Sequence, residues 1–479
     1  MKIPMGWIAC LVLAGAILAS TPRAWTQDVG FVSAWPRLMT AERDQVMKFA
    51  DDFKDFMGRA KSEMFFVREG VNFAEARGFR KWQANLAKAD LRPGSRWYAV
   101  NRDRTLVLFI IGTEPVENGM RIVNTHIDSV RLEFKTRPFR ESNQIALVDT
   151  QVHGTIKNYQ WVNVPLAIIG RVDKADGTVV WIDIGNKPDD PVLLVPDLAP
   201  HVDRDFRDRT QADVIKTEEL DPIIGSLPAD EAAGQKSATD RILALLNQQY
   251  GLTAKDFLSA DLQIVPAIMP RDVGLDRALV GAYGHDDRST GWVSLRSIAE
   301  IQTPRFTSVA YAVNNEEVGS WNTGVNSQWF STLVSEIIYT QQGNEYNDLM
   351  LRRAYSRTQV LVSDCTTAID PNFPQPTNQD ISARLGYGLV VKEYGAGRES
   401  NSEFFAKIRS LLDREKIRWQ THSYDAGYGG STIASWFAGQ NMDVMDVGIG
   451  ILSMHSPYDV SSKVDLWELH KGFQAFFKN

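Results

Sequence analysis

Thr307-Ser308-Val309-Ala310-Tyr311-Ala312-Val313-Asn314-Asn315-Glu316-Glu317 is the stretch on which the fold turns. Its first seven residues carry no charge and are rich in β-branched and aromatic side chains, which predicts a strand buried on both faces. Burial on both faces belongs to a largely parallel sheet covered by helices, hence to an α/β fold. The strand runs straight into two adjacent carboxylates. In open α/β sheets ligands gather beyond the carboxyl ends of the strands, so Glu316 and Glu317 stand where a cleft is expected. A second apolar run, residues 358–362, ends in the same way in Ser363-Asp364.

Working outward, residues 96–101, 105–111 and 121–126 are short β-branched and aromatic runs separated by turn residues such as Asn101-Arg102-Asp103. Val46, Phe49, Phe53, Phe56 and Met57 recur at helical spacing, and Thr40 is the expected cap of that helix. Strands are also expected at residues 179–184 and 191–195. A polar excursion rich in Asp, Arg and Pro follows over residues 200–240, and a periodic helix over residues 238–250. No internal repeat is evident.

Composition narrows the chemistry. With 52 Lys and Arg against 59 Asp and Glu, the formal charge is −7, and no long basic run offers a nucleic-acid surface. Seven His and two Cys rule out a thiolate zinc cluster, so any metal centre must lean on carboxylates. Residues 1–27 read as a secretory signal: Lys2, an apolar stretch over residues 7–19, then small residues. The stretch is shorter than a membrane span, and an uncleaved anchor is the alternative. Cleavage would remove Cys10 and leave Cys365 without a disulfide partner, in a protein expected to be exported to the periplasm or medium.

Five segments combine a strand end or turn with metal-capable side chains: His126-Ile127-Asp128, His285-Asp286-Asp287, Glu316-Glu317, Asp364 and His455. Each has an ordinary reading when taken alone, as a structural histidine, a helix N-terminus or a solvated acidic pair. Together they supply enough imidazoles and carboxylates for two divalent ions that share one carboxylate. In an adjacent glutamate pair, one member can bind metal while the other moves a proton.

The order of the motifs resembles the aspartyl aminopeptidase / aminopeptidase I family of dinuclear zinc aminopeptidases. The segments that carry the likeness are His126-Ile127-Asp128-Ser129, Pro196-Asp197-Leu198-Ala199 with His201, and Gly274-Leu275-Asp276-Arg277 leading to Gly284-His285-Asp286-Asp287-Arg288. They continue with Asn314-Asn315-Glu316-Glu317-Val318-Gly319-Ser320, Gly429-Gly430-Ser431-Thr432-Ile433 and Ser453-Met454-His455-Ser456. The resemblance implies a zinc-peptidase-type α/β catalytic domain with helices on both sheet faces, formed by residues 30–133 and 277–479. An inserted β-rich oligomerisation domain, residues 134–276, interrupts it. It implies two zinc ions per subunit, one on His126, Asp286 and Asp364, the other on Asp286, Glu317 and His455. Glu316 would be the general base and acid, and Asp128 would orient His126. Lys392, Tyr159, Gly430 and Ser431 would meet substrate.

The implied reaction is hydrolysis of the N-terminal residue of peptides by a water bridged by two zinc ions, in a homo-oligomer that is commonly a dodecamer. Three departures from the family pattern stand out. Asn314-Asn315 replace Asp-His before the glutamates, Cys365-Thr366-Thr367 follow the zinc-binding aspartate, and Tyr159 or His153 takes the place of an inserted-domain histidine. A carboxypeptidase or deacylase on the same framework, and a non-catalytic peptide-binding or assembly homologue, are the competing readings.

Overall fold

The computed structural model describes residues 32–319, 322–392, 401–424, 429–430 and 432–479. Its centre is a nine-stranded sheet. The strands lie in the order Arg80–Lys81, Arg96–Asn101, Thr105–Ile110, Thr307–Val313, Met120–His126, Gln359–Ser363, Asp443–Gly448, Leu389–Lys392 and Trp419–His422. The four strands from Thr307–Val313 to Asp443–Gly448 are mutually parallel.

Because successive strand residues face opposite sides, each central strand serves two cores. Leu106, Leu108, Val123, Ala310, Leu361 and Met445 face one layer, where Phe49 and Phe53 of the Thr40–Arg59 helix, Trp292 of His285–Ile298 and Leu469 and Phe473 of Lys463–Lys478 cover them. Val107, Phe109, Ile122, Val309, Tyr311, Val360 and Val444 face the other, under Phe330, Leu333 and Ile337 of the Trp329–Gln342 helix. Helices therefore lie on both faces. The N-cap of the first long helix is Met39 without a side-chain bond, and Thr40 is its first helical residue.

Residues 131–266 contribute a second sheet of six strands, all antiparallel where they pair. Its first strand, Arg131–Ser142, pairs with its last, Ala260–Pro266, through Ile264 opposite Leu132. Residues 191–195, expected as a strand, form only isolated bridges, Leu193 to Leu166 and Leu194 to Ile223. The 200–240 excursion carries short 3-10 turns and the three-residue strand Ile223–Gly225. A third sheet joins Arg271–Val273, Leu279–Ala282, Asp459–Ser462, Gly450–Leu452 and Thr366–Thr367. Among the described residues no helix is long and apolar enough to cross a membrane. The expected signal segment lies outside the described residues.

Candidate active site

Strand register assembles the site. Val313 pairs with His126, and Ser363 with Thr125, so His126, Asp364 and the turn carrying Glu316 and Glu317 emerge along one edge of the central sheet. The third sheet supplies the rest. Its Leu279–Ala282 strand leads through Gly284 into the His285–Ile298 helix, which carries Asp286 and Asp287 in its first turn. Gly284 has φ +76°, and a Cβ there would collide with the Arg288 guanidinium, so the approach to this helix requires glycine. His455 sits between the Gly450–Leu452 and Asp459–Ser462 strands.

Two triads result, His126 with Asp286 and Asp364, and Asp286 with Glu317 and His455. His126 Nε2 lies 3.2 Å from Asp286 Oδ1 and 3.8 Å from Asp364 Oδ1. His455 Nε2 lies 3.2 Å from Asp286 Oδ2 and 3.3 Å from Glu317 Oε1. Asp286 turns one oxygen to each imidazole. Both rings are oriented from behind by carbonyl oxygens: His126 Nδ1 is 3.0 Å from the Asp128 carbonyl and His455 Nδ1 is 2.9 Å from that of Thr155. A carbonyl only accepts, so each Nδ1 carries the proton and each Nε2 keeps a lone pair for a cation.

The Asp128 carboxylate has other partners. Its Oδ1 accepts the Glu316 N–H at 3.1 Å and its Oδ2 the Glu317 N–H at 3.2 Å, while His126 Nδ1 is 3.5 Å from Oδ1. The orientation of His126 therefore comes mainly from the Asp128 main chain.

The electrostatics call for positive charge. Burial pushes the Glu316 carboxyl up to about 7, with Asp364, Asp286 and Asp128 adding to the rise against His126. Burial and then Asp286 push Glu317 up to about 8. Burial works against charge on His455, but its bond to Asp286 and the nearby Glu317 outweigh that and raise it to about 9. Asp286, although buried, is held well below the usual carboxylate range by His126 and His455. The protons thus fill in for cations. Asp286 Oδ1 and Glu317 Oε1 are buried and accept no hydrogen bond, and these are oxygens a divalent ion would take up. The donor set of imidazole and carboxylate fits zinc. A third cluster, Asp286, Asp287 and Cys365, is fully buried; burial raises both the Asp287 carboxyl and the Cys365 thiol strongly, which keeps them protonated and poor as ligands.

The remaining expected residues are dispersed. Lys392 is no surface lysine: it is 2% exposed, and its Nζ lies 3.0 Å from Asp364 Oδ2 and 2.8 Å from the Cys365 carbonyl. Tyr159 lies on the Asn158–Gln160 turn and is exposed. Gly430 has open space before it, beside Thr432, whose Oγ1 donates to Asp446 Oδ1 at 2.7 Å. Ser431 lies outside the described residues. Two contributors were not singled out in the sequence for the parts they play, the Thr155 carbonyl behind His455 and the Glu316-Glu317 main chain on Asp128. Nothing local marks them, because each contact joins segments far apart in the chain.

Comparison with known proteins identifies the family. Residues 56–477 match the family described as Aminopeptidase I zinc metalloprotease (M18). A probable M18 family aminopeptidase 1 of Clostridium acetobutylicum is 37% identical over 460 residues, covering 94% of this chain and 98% of the relative. The crystal structure of an M18 aminopeptidase from Thermotoga maritima superposes with a TM-score of 0.87 at 33% identity, covering 93% and 99% of the two chains. That of aminopeptidase I from Clostridium acetobutylicum gives 0.86 at 35%, covering 94% and 99%. The chain therefore belongs to the M18 aminopeptidase I family and is a zinc-dependent aminopeptidase, a hydrolase.

Proposed function

We propose that the protein removes the N-terminal residue of peptides with two zinc ions per subunit. His126, Asp286 and Asp364 would hold one ion and Asp286, Glu317 and His455 the other. The observation that carries this reading is the pair of triads sharing Asp286, with two imidazole Nε2 atoms each 3.2 Å from a different oxygen of that carboxylate. When bound, the ions would supply Lewis acidity, lowering the pKa of water towards neutrality and polarising the scissile carbonyl.

The chain's own residues do the rest. Glu316 takes the proton of the attacking water and delivers it to the leaving amine, a role open to a carboxyl that stands beside the metal-binding Glu317. Asp128 holds that glutamate's main chain in place. Lys392 offsets charge on Asp364 at the edge of the site, and any substrate contact it makes shares its ammonium with that ligand. Gly430 and Ser431 present backbone N–H groups to substrate, and the exposed Tyr159 is available to the site of a neighbouring subunit in a homo-oligomer, up to a dodecamer, joined through residues 134–276. We also infer export, from residues 1–27.

The decisive experiment gives the purified protein a panel of aminoacyl reporter substrates, free and N-blocked, before and after chelation and zinc return. Zinc-restored release from free substrates alone supports the reading. Equal release from N-blocked substrates would overturn the requirement for a free amine, and release that chelation leaves unchanged would overturn the two-zinc mechanism.

A further inference from the structure

His153 ends the Ile145–His153 strand of the second sheet, is 5% exposed, and has both ring nitrogens engaged. Nε2 lies 3.0 Å from Asp128 Oδ2 and Nδ1 lies 3.0 Å from Glu133 Oε1. Both partner atoms are carboxylate oxygens, which serve as acceptors, so each ring nitrogen faces an acceptor and is positioned to donate. Glu133 is anchored in turn by Arg131 Nη2 at 2.8 Å, and Arg131 Nη1 lies 3.6 Å from Glu63. At its other end this buried chain of charges reaches Asp128, the residue that receives the main-chain N–H groups of Glu316 and Glu317.

We infer that His153 is a positioning residue: by clamping Asp128 from the second sheet, it fixes the turn that carries Glu316 and Glu317. A ring with both nitrogens committed has no proton left for a substrate, so His153 acts through Asp128. The next two residues strengthen the link. Gly154, at φ +74°, passes so close to Glu317 that a Cβ would come within 2.9 Å of its carboxylate, and the Thr155 carbonyl holds His455. The second sheet thus sets the geometry of a site whose ligands all belong to the other two sheets.

The inference rests on the roles proposed for Glu316 and Glu317, and its test separates the two. His153→Phe fills a similar volume without donors, whereas His153→Gln can still donate to Asp128. For His153→Phe we expect kcat to fall about 10- to 100-fold with KM within about twofold, and zinc to be lost to a chelator about tenfold faster, the usual scale for a residue behind a metal site. His153→Gln should recover most of both. Wild-type kcat and zinc release in a folded His153→Phe would overturn the inference, as would a rise in KM with kcat unchanged, or a glutamine variant no better than the phenylalanine one. Should His153→Phe fail to fold, Glu133→Gln, which weakens the anchor of the ring's other nitrogen, decides: a partial fall in kcat with faster zinc release supports the clamp, and wild-type behaviour refutes it. If the wild type hydrolyses nothing, the proposed function fails, while zinc release still reads the clamp.

Discussion

On the second sheet, Arg140 reaches Asp149 at 2.6 Å and Asp221 at 2.7 Å, and Arg171 binds Asp103 at 2.5 Å and also pairs with Asp173. At the carboxyl edge of the central sheet, Asp286, Glu316, Glu317 and Asp364 meet two imidazoles, with Lys392 beside Asp364. The first region matches its charges within the chain, and the second gathers more acid than it neutralises. The first arrangement is complete as folded. The second holds protons at unusually high pH because burial and neighbouring carboxylates penalise its negative charge, which is where cations would bind most favourably.

The largest test of that contrast is Asp286→Asn. Removing the shared carboxylate should strip both ions, taking zinc below one per chain by elemental analysis and turnover down by about 10^4-fold, since the Lewis acid contributes several kcal/mol. Full zinc retention would mean that the two triads do not depend on their common member. Glu316→Gln should lose about 10^2- to 10^3-fold in kcat, the span expected of a general base, while keeping its zinc; near-native turnover would assign the proton transfer elsewhere.

The pH dependence sharpens the comparison further. In the metal-free protein Glu316 and Glu317 bind protons up to about 7 and 8, far above the ordinary glutamate value, and His455 up to about 9, above the ordinary 6.5. Between the ordinary and the raised values the folded state binds more protons than the unfolded one, so the metal-free protein should lose stability as pH rises from about 4.5, where the glutamates begin, to about 9, where His455 ends. Thermal midpoints measured in chelator should fall across that window, and zinc should flatten the slope. Parallel curves with and without zinc would contradict the site. The smallest effect belongs to the matched region: Arg171→Gln breaks a partly exposed pair and should cost about 0.2–1 kcal/mol by denaturant titration. A loss several times larger would show the second sheet to be as dependent on charge as the site.

The sequence was most readable where burial is two-sided. Arg96–Asn101 and Thr307–Val313 take the limits their apolar runs suggest, since turn residues or charges bound them closely. Residues 191–195 failed as a strand; Pro191 lacks a donor and Leu193 and Leu194 find different partners. The convergence of His126, Asp286, Glu317, Asp364 and His455 was legible from their motifs, and three of them stand at or just beyond the ends of central strands. Lys392 was ambiguous because an apolar run ending in lysine reads equally as an edge strand in solvent, whereas Leu389–Lys392 lies between Asp443–Gly448 and Trp419–His422. The Asp128 carboxylate was assigned to its near neighbour His126, from which it lies 3.5 Å, but it also bonds to groups 25, 188 and 189 residues away. Such contacts are set by which strands come to rest side by side, information that no local pattern carries.

The pairing of Leu132 with Ile264 closes the second sheet at its stem. Cutting the chain there and splicing in a short loop would leave every strand order of the nine-stranded sheet unchanged, so by connectivity the segment is detachable. By chemistry it is not, because the same excision would take away the Thr155 carbonyl from His455 and His153 from Asp128. A miniaturised enzyme made this way would keep all five residues proposed to bind zinc and lose the contacts that reach them from the second sheet.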